Sequence, residues 1–168
     1  AIATGYEQDP VDGNVYNGVD ATGDGYGGAI LFDGNTSPIV RNSVFINCEA
    51  TGGRGSNGRD GFDLAPDDTR ERGGQGGKGG SGSGNGYGGA LFCGTDSSPS
   101  ILNCQFLDCT AIGGIGGDGG KGGNGTSDKV AGNGGDGGTG SGLGYGGVIY
   151  CSMGSAPKIA GCDFSNNL

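Results

Sequence analysis

The chain has 168 residues, of which 46 are glycine and 5 are proline, and it carries a formal net charge of -9 at pH 7 with no histidine. Scarce proline and the absence of a Gly-X-Y period along the whole chain exclude collagen, and the negative charge makes nucleic acid a poor partner. No window approaches the roughly 18 apolar residues of a membrane helix, so no membrane span is expected.

Residues 1–25 are acidic and dense in turn dipeptides such as Asp9-Pro10, which predicts an ordered loop with only short extended pieces. We expect no cofactor. Calcium remains a less favoured alternative, because the spacing of the acids matches neither an EF-hand nor the glycine-aspartate nonapeptide repeat. The acids that could gather around calcium are Glu7, Asp9, Asp12, Asp20 and Asp24.

Three copies of one repeat follow, with cores at about 26–50, 87–111 and 145–168. Each begins with Tyr-Gly-Gly and continues through short apolar runs, which predicts one three-sided coil of parallel strands per copy. Equivalent positions of successive coils lie directly above one another, so like residues should stack inside the solenoid. The predicted stacking core consists of Val40, Ile101 and Ile159, and of Phe45, Phe106 and Phe164.

Polar residues recur at fixed places in the same repeats. Asn42 aligns with Asn103, and Asn47 aligns with Asp108 and Asn166. Asparagine and aspartate satisfy turn backbone groups, so these positions are predicted to mark bends between strands. The whole chain, 1–168, is thus expected to be a single repetitive β-solenoid domain.

The glycine-rich insertions, at about 51–86 and 112–144, have a period of three residues written Gly-Gly-X. A left-handed extended helix has three residues per turn, so the pattern predicts polyglycine-II helices along 52–58, 73–86, 113–125 and 132–144, the last two forming a hairpin. A flexible linker is the alternative. Ordered helices predict that valine disturbs packing at Gly116 or Gly137, and that alanine is nearly silent at Asp118 or Thr139.

The six cysteines fall into three register-matched pairs: Cys48 with Cys109, Cys93 with Cys151, and Cys104 with Cys162. Neighbouring coils about 4.8 Å apart place such pairs within disulfide range, which favours inter-coil bridges and an oxidising, extracellular setting. A ladder of buried free thiols is the alternative, since directly opposed parallel positions are not ideal for bridging.

The third copy stops one residue short of the alanine that closes the first two, and the chain begins Ala1-Ile2-Ala3. Leu168 of one molecule followed by Ala1 of a second would therefore continue the repeat. The sequence is either an excerpt of a longer array or a subunit that joins its own copy. The predicted junction residues are Ala1, Ile2, Asn167 and Leu168.

The pattern Gly-Gly-Ala-Ile/Leu followed by Ser-Pro-x-Ile-x-Asn-Cys-x-Phe, seen from Gly88 to Phe106, resembles the right-handed parallel β-helix repeats of polymorphic outer-membrane proteins and related pectin-lyase-like surface proteins. The resemblance covers about half of the chain and implies a short β-helix of three coils. Its long glycine-rich insertions depart from that family. Because the fold carries lyases, adhesins and passive stalks alike, the resemblance says little about function.

A structural subunit of an extracellular or cell-surface fibre, stacking head to tail on itself, is the favoured function, because three coils leave open strand edges at both ends. A carbohydrate-binding or adhesive surface protein is the alternative. Tyr26, Tyr87 and Tyr145 form an aromatic column that could stack a sugar, but anchoring the entry of each coil is the favoured role of these rings. A polysaccharide-active enzyme is less favoured, since no histidine is present and no catalytic residue stands out. Ice binding is opposed by charged X positions. Glycan attachment is allowed at Asn35 and Asn124.

Overall fold

The computed structural model describes residues 15–168. These residues divide into two compact units that alternate along the chain. The coil unit consists of 23–52, 84–113 and 142–168, and the glycine unit consists of 15–22, 53–83 and 114–141. The expectation of a single domain stays a prediction. Within 15–168 there is no helix long and apolar enough to cross a membrane.

The coil unit is built from fourteen strands of two or three residues. Coil 1 contains β1 (Gly25–Tyr26), β2 (Ile30–Phe32), β3 (Ile39–Arg41), β4 (Val44–Ile46) and β5 (Glu49–Thr51). Coil 2 contains β6 (Gly86–Tyr87), β7 (Leu91–Cys93), β8 (Ser100–Leu102), β9 (Gln105–Leu107) and β10 (Thr110–Ile112). Coil 3 contains β11 (Gly144–Tyr145), β12 (Ile149–Cys151), β13 (Lys158–Ala160) and β14 (Asp163–Ser165).

All strand pairs are parallel, and coil 2 lies between the other two. The three-stranded sheets are β1-β6-β11, β2-β7-β12, β3-β8-β13 and β4-β9-β14, and β5 pairs with β10 alone. An equivalent position recurs 61 residues later from coil 1 to coil 2 and 58 residues later from coil 2 to coil 3, as in Gly25, Gly86 and Gly144. This topology confirms the predicted fold class, a three-coil parallel β-helix with polyglycine-II insertions.

Every residue of 15–168 with a positive φ belongs to one of five columns, each with one member per coil. The left-handed conformation lets the chain turn between strands, and glycine, asparagine and aspartate adopt it at the least cost. The columns are Gly23, Gly84 and Gly142; Gly27, Gly88 and Gly146; Asn35, Asp96 and Gly154; Asn42, Asn103 and Gly161; and Asn47, Asp108 and Asn166.

The apolar core of the coil unit is centred on coil 2. Leu91, Ile101 and Phe106 are fully buried, whereas their equivalents in coils 1 and 3 are only partly buried or exposed. Coil 2 is covered on both sides, and each outer coil is covered by its described neighbour on one side only.

The glycine unit consists of five extended segments, which we number I (15–22), II (53–64), III (72–83), IV (114–125) and V (130–141). Their hydrogen bonds join one segment to another and recur every third residue. Thus the N–H groups of Gly117, Gly120 and Gly123 donate to the carbonyls of Gly80, Gly77 and Gly74. Such a pattern is the expected hydrogen bonding of polyglycine II, in which a helix has no internal bonds.

Segments I, III and V run parallel to one another, as do II and IV, and the two sets run antiparallel. Most glycines of segments III and IV leave no room for a side chain: a Cβ on Gly77 would overlap the carbonyl oxygen of Tyr16, and one on Gly120 that of Arg59. Gly116 is equally enclosed by segment V, as the phase predicts. Gly137 differs, because the nearest described atom to its Cβ is the oxygen of Gly117 at 3.8 Å. The expectation that Gly137 is closely packed is therefore wrong within the described chain.

Side chains also bond between successive layers, where a layer is one turn of the 61- or 58-residue repeat, and the sequence pattern did not predict these bonds. The Oδ1 of Asp60 accepts a hydrogen bond from the Lys121 N–H at 2.6 Å, 61 residues later. Seven such bonds connect equivalent positions in successive layers, five of them in the glycine unit and two in the coil unit. The acceptors are Asn17, Asp20, Asp24, Asn57, Asp60, Asp63 and Asn85.

Candidate assembly surface

Two apolar columns run along the axis of the coil unit and reach its outer coils. Val40 and Ile159 lie opposite Ile101 in the strand register, and Phe45 and Phe164 lie opposite Phe106. The phenylalanine rings stack with centroids 4.9 Å and 5.1 Å apart. In coil 3, Ile159 is 44% exposed and Phe164 is 48% exposed. Coil 3 therefore presents the end of a packed core to solvent.

The backbone of the outer coils is also open. Within residues 15–168, each strand of coils 1 and 3 pairs only with its partner in coil 2. Each outer coil therefore has a row of N–H and C=O groups without a strand partner in the described chain. Such a row is a template for pairing with a further strand.

The tyrosine column is a stack of rings whose faces cover one another. Tyr26 and Tyr87 have centroids 5.2 Å apart at an interplanar angle of 8°, and Tyr87 and Tyr145 are 5.1 Å apart at 10°. A sugar stacks on the face of an aromatic ring, and here both faces of Tyr87 are occupied. Phe92 and Tyr150 pack edge-on against the column. The arrangement anchors successive coils and leaves few ring faces for a ligand.

Tyr26 also makes a side-chain hydrogen bond. Its hydroxyl donates to the Asp24 carboxylate at 3.0 Å, and this hydrogen bond raises the pKa of Tyr26. The other carboxylate oxygen of Asp24 accepts from the Asn85 N–H, and Asp20 accepts from the Ser81 N–H. These two acids bind backbone groups. The other suggested calcium ligands, Glu7, Asp9 and Asp12, lie outside the described residues.

All six cysteines are free thiols in the structure, which corresponds to the alternative of a thiol ladder, and the inter-coil disulfides stay a prediction. Cys93 and Cys151 are direct strand partners, and Cys104 N–H lies 3.4 Å from the sulfur of Cys162. Side chains at directly opposed positions of parallel strands point the same way, whereas a disulfide needs them to point at each other. The third predicted pair, Cys48 and Cys109, interacts through its thiols.

Burial raises the pKa of Cys93 to about 12, with a further contribution from Cys151 beside it. Burial likewise raises the pKa of Cys48. Both thiols therefore remain protonated near neutral pH. Cys151 is exposed at the outer edge of coil 3.

Asn167 takes the place that Cys48 and Cys109 occupy in the earlier coils. Its Oδ1 accepts from the Cys109 N–H at 2.8 Å, and its Nδ2 donates to the Phe106 carbonyl at 3.1 Å. Leu168 continues the ladder, since its N–H donates to the Cys109 carbonyl and its own carbonyl accepts from Ala111. The other predicted junction residues, Ala1 and Ile2, lie outside the described residues.

Comparison with known proteins gives no assignment for the chain. No family model and no curated protein matches it. Among solved structures, a springtail antifreeze protein from Granisotoma rainieri is similar in part. Its description is a nine polyproline type II helical bundle whose crystal waters match the ice lattice. The two chains are 22% identical over 76% of this chain and 94% of that chain, with a TM-score of 0.19. A similarity this weak supports no conclusion about the fold or function of the present chain.

Within 15–168, no three cysteine or acidic side chains lie close enough together to hold a metal ion. The candidate functional surface of the described chain is therefore formed by the open core and the strand edges of the outer coils. We call this pair of surfaces the coil ends: the outer edge of coil 3 around Ile159 and Phe164, and the outer edge of coil 1 around Val40 and Phe45.

Proposed function

We propose that the chain is a structural subunit of a homopolymeric fibre, in which the coil 3 end of one copy stacks on the coil 1 end of the next. The observation that supports this most is the half-exposed core of coil 3, where Ile159 and Phe164 end two columns that are fully buried one coil below. Exposed apolar residues that continue a packed core are typical of an interface.

The two ends match in chemistry. In register, Ile159 would meet Val40 of the next copy, Phe164 would meet Phe45, and Tyr145 would meet Tyr26, so each column would continue with residues of its own kind. The unpaired backbone rows would pair as the inner coils do. Each subunit would add three coils, or about 14 Å at roughly 4.8 Å per coil.

The fibre would be held without covalent links. In this register no cysteine of coil 3 faces a cysteine of coil 1, because Cys151 would meet Phe32 and Cys162 would meet Ser43. Polymers are therefore expected to dissociate in denaturant without a reductant.

An extracellular or cell-surface location is part of the proposal. The repeats resemble those of polymorphic outer-membrane proteins, and Asn35 and Asn124, both in glycosylation sequences, are exposed. We propose a passive role rather than a catalytic one. An adhesive role at a fibre tip is compatible with the same assembly, whereas sugar stacking on the tyrosine column is disfavoured by its face-to-face rings.

Electron microscopy and sedimentation of the purified chain test the proposal. The wild type should form filaments that lengthen with concentration. Ile159→Asp places a charge in the column at the coil 3 end and should abolish them, because an unpaired charge would be buried at the junction. Lys158→Ala, at the neighbouring exposed position, is the matched control and should polymerise normally. A wild-type chain that stays monomeric at high concentration contradicts the proposal.

A further inference from the structure

Segment IV lies in the glycine unit between segments II and III, and three sets of bonds hold it there. The N–H groups of segment II donate to its carbonyls, its own N–H groups donate to segment III, and side chains of segment II accept from its X-position N–H groups. The donors in segment II are Gly55, Gly58 and Gly61, the acceptor carbonyls in segment III are Gly74, Gly77 and Gly80, and the acceptor side chains are Asn57, Asp60 and Asp63.

The same three sets of groups recur, one layer on, at the free side of segments IV and V, except that Lys121 takes the place of the acceptor Asp60. Among residues 15–168 none of these recurring groups has a hydrogen-bond partner on that side. We call them the open edge: the N–H groups of Gly116, Gly119 and Gly122, the carbonyls of Gly132, Gly135 and Gly138, and the side chains of Asp118 and Asn124.

The glycines next to the open edge fit a neighbour that the described chain does not contain. In segment III, a Cβ on Gly76 or Gly79 would overlap a carbonyl oxygen of segment IV, so glycine is required there. Gly134 and Gly137 are the equivalent positions of segment V, yet they are exposed, and the nearest described atoms to a Cβ there lie at 3.5 Å and 3.8 Å. Glycine at these two positions is explained if a further segment packs against them.

We propose that the open edge binds an extended Gly-Gly-X segment from another chain, parallel to segment IV and antiparallel to segment V. Its carbonyls would accept from Gly116, Gly119 and Gly122, and its N–H groups would donate to the carbonyls of segment V. This is addition of one more polyglycine helix to an existing bundle, by the same hydrogen bonding that adds a strand to a sheet edge.

The occupant must carry glycine at every third position. In segment IV those positions are Gly117, Gly120 and Gly123, where a Cβ would overlap carbonyl oxygens of segment II. Segment II itself has Ser56, Arg59 and Phe62 at the equivalent places, so segment II of a second copy does not fit the open edge at the same spacing. The site therefore selects for glycine and differs from the coil ends, and the proposal does not depend on fibre formation.

A synthetic peptide with the sequence of residues 114–125 is the matched probe, because it already occupies the equivalent place in the chain. With the full-length protein in its native assembly state, hydrogen exchange resolved by NMR or mass spectrometry should slow at Gly116, Gly119 and Gly122 by at least about tenfold on adding the peptide. A peptide with alanine in place of its three inward glycines should give no protection.

Protein variants provide the second part of the test. Gly134→Ala with Gly137→Ala should leave the circular dichroism spectrum and melting temperature unchanged, because both Cβ atoms have room, yet should abolish peptide protection. Protection of the three amides in wild type without peptide, lost in this double variant, would equally support the proposal and would identify the occupant as a glycine-rich segment of a second copy other than segment II. Exchange at these amides that stays fast in the presence of the peptide, or protection that persists in the double variant, would overturn it. Filament formation, observed by electron microscopy, tests the coil ends and is measured separately.

Discussion

Phe106 and Phe164 stack face to face with ring centroids 5.1 Å apart, yet Phe106 is fully buried and Phe164 is 48% exposed. The difference arises because Phe45 covers the second face of Phe106, at 4.9 Å, while no described residue does so for Phe164. One column thus contains both a core residue and a surface residue of the same type. Their substitutions should separate folding from assembly.

Phe106→Ala should lower the free energy of unfolding by about 3 to 5 kcal/mol, because it leaves a cavity in a fully packed layer. Phe164→Ala should cost less, about 1 to 2 kcal/mol, because half of its ring is already in water. It should nevertheless weaken filament formation strongly. Urea denaturation at low concentration and sedimentation at high concentration measure the two effects. Equal losses of unfolding free energy would show that Phe164 is covered within the subunit.

The acceptor side chains of segment II make a second prediction. Asp60→Ala removes the bond to the Lys121 N–H and should cost about 1 kcal/mol, while exchange of that single amide becomes faster. Asp118 occupies the same X position one layer on from Asn57, but its carboxylate has no bond within 15–168. Asp118→Ala is therefore the control and should be nearly neutral in the isolated subunit. Identical behaviour of the two variants would exclude a structural role for the interlayer bonds.

The repeats made much of the fold predictable. A parallel solenoid places equivalent residues in register, so alignment of three copies is already a contact map, and the columns through Ile101 and Phe106 are paired accordingly in the structure. Asn103 and Asp108 were predicted as bends for a related reason, since few residues other than glycine tolerate the left-handed backbone that both adopt.

Segment I and the second half of segment II were missed, because they lack the Gly-Gly-X phase, whereas 52–58 was predicted as a polyglycine-II helix. Their position in the first layer explains this. Val19 and Arg59 are the equivalents of Gly80 and Gly120, which pack against the preceding layer. No described segment precedes the first layer, so glycine is not required at residues 19 and 59. The side chain bonds between layers were missed for another reason. Asp60 and Lys121 are 61 residues apart, and only the register of the folded chain brings them together.

The bend at Asn103 tests the column of left-handed residues. Asn103 has φ of 51°, and glycine replaces it at the equivalent Gly161 of coil 3. Asn103→Gly should therefore be nearly neutral. Asn103→Val should cost at least about 1 to 2 kcal/mol, because a β-branched residue is strained in this conformation. Chemical denaturation of both variants measures the difference. Equal free energies of unfolding for the valine and glycine variants would show that the backbone at residue 103 does not need the left-handed conformation.

The loop between segments II and III should respond to acid. Asp68 accepts hydrogen bonds from the Arg70 side chain and backbone, which lower its carboxyl pKa from 3.8 to about 2, and Arg70 also lies over the Phe62 ring at 4.0 Å. A lowered pKa means that the contact stabilises the loop fully above about pH 4 and is lost as pH falls through 2. NMR titration of the Asp68 carboxyl should show this midpoint. Asp68→Asn should remove the pH dependence, and a midpoint near 4 in the wild type would refute the contact.

The thiol ladder gives the opposite pH dependence. Cys93 is buried beside Cys151, and its pKa is raised from 9.0 to about 12, so the folded chain keeps a proton there that the unfolded chain loses near pH 9. The resulting stabilisation is complete below pH 9 and is lost as pH rises towards 12. Unfolding free energy should therefore fall across this range in the wild type, and fall less steeply in Cys93→Ala.

Alkylation at pH 8 should distinguish the two sulfurs of this pair. Cys151 is exposed and should react with iodoacetamide in the native state, whereas Cys93 should react only after unfolding, because it is both inaccessible and protonated. Peptide mapping by mass spectrometry gives the extent at each site. Protection of Cys151 that appears only in filaments would place it at the junction between copies. Native labelling of Cys93 as fast as Cys151, or recovery of the two as a disulfide from protein purified without reductant, would contradict the free thiol ladder.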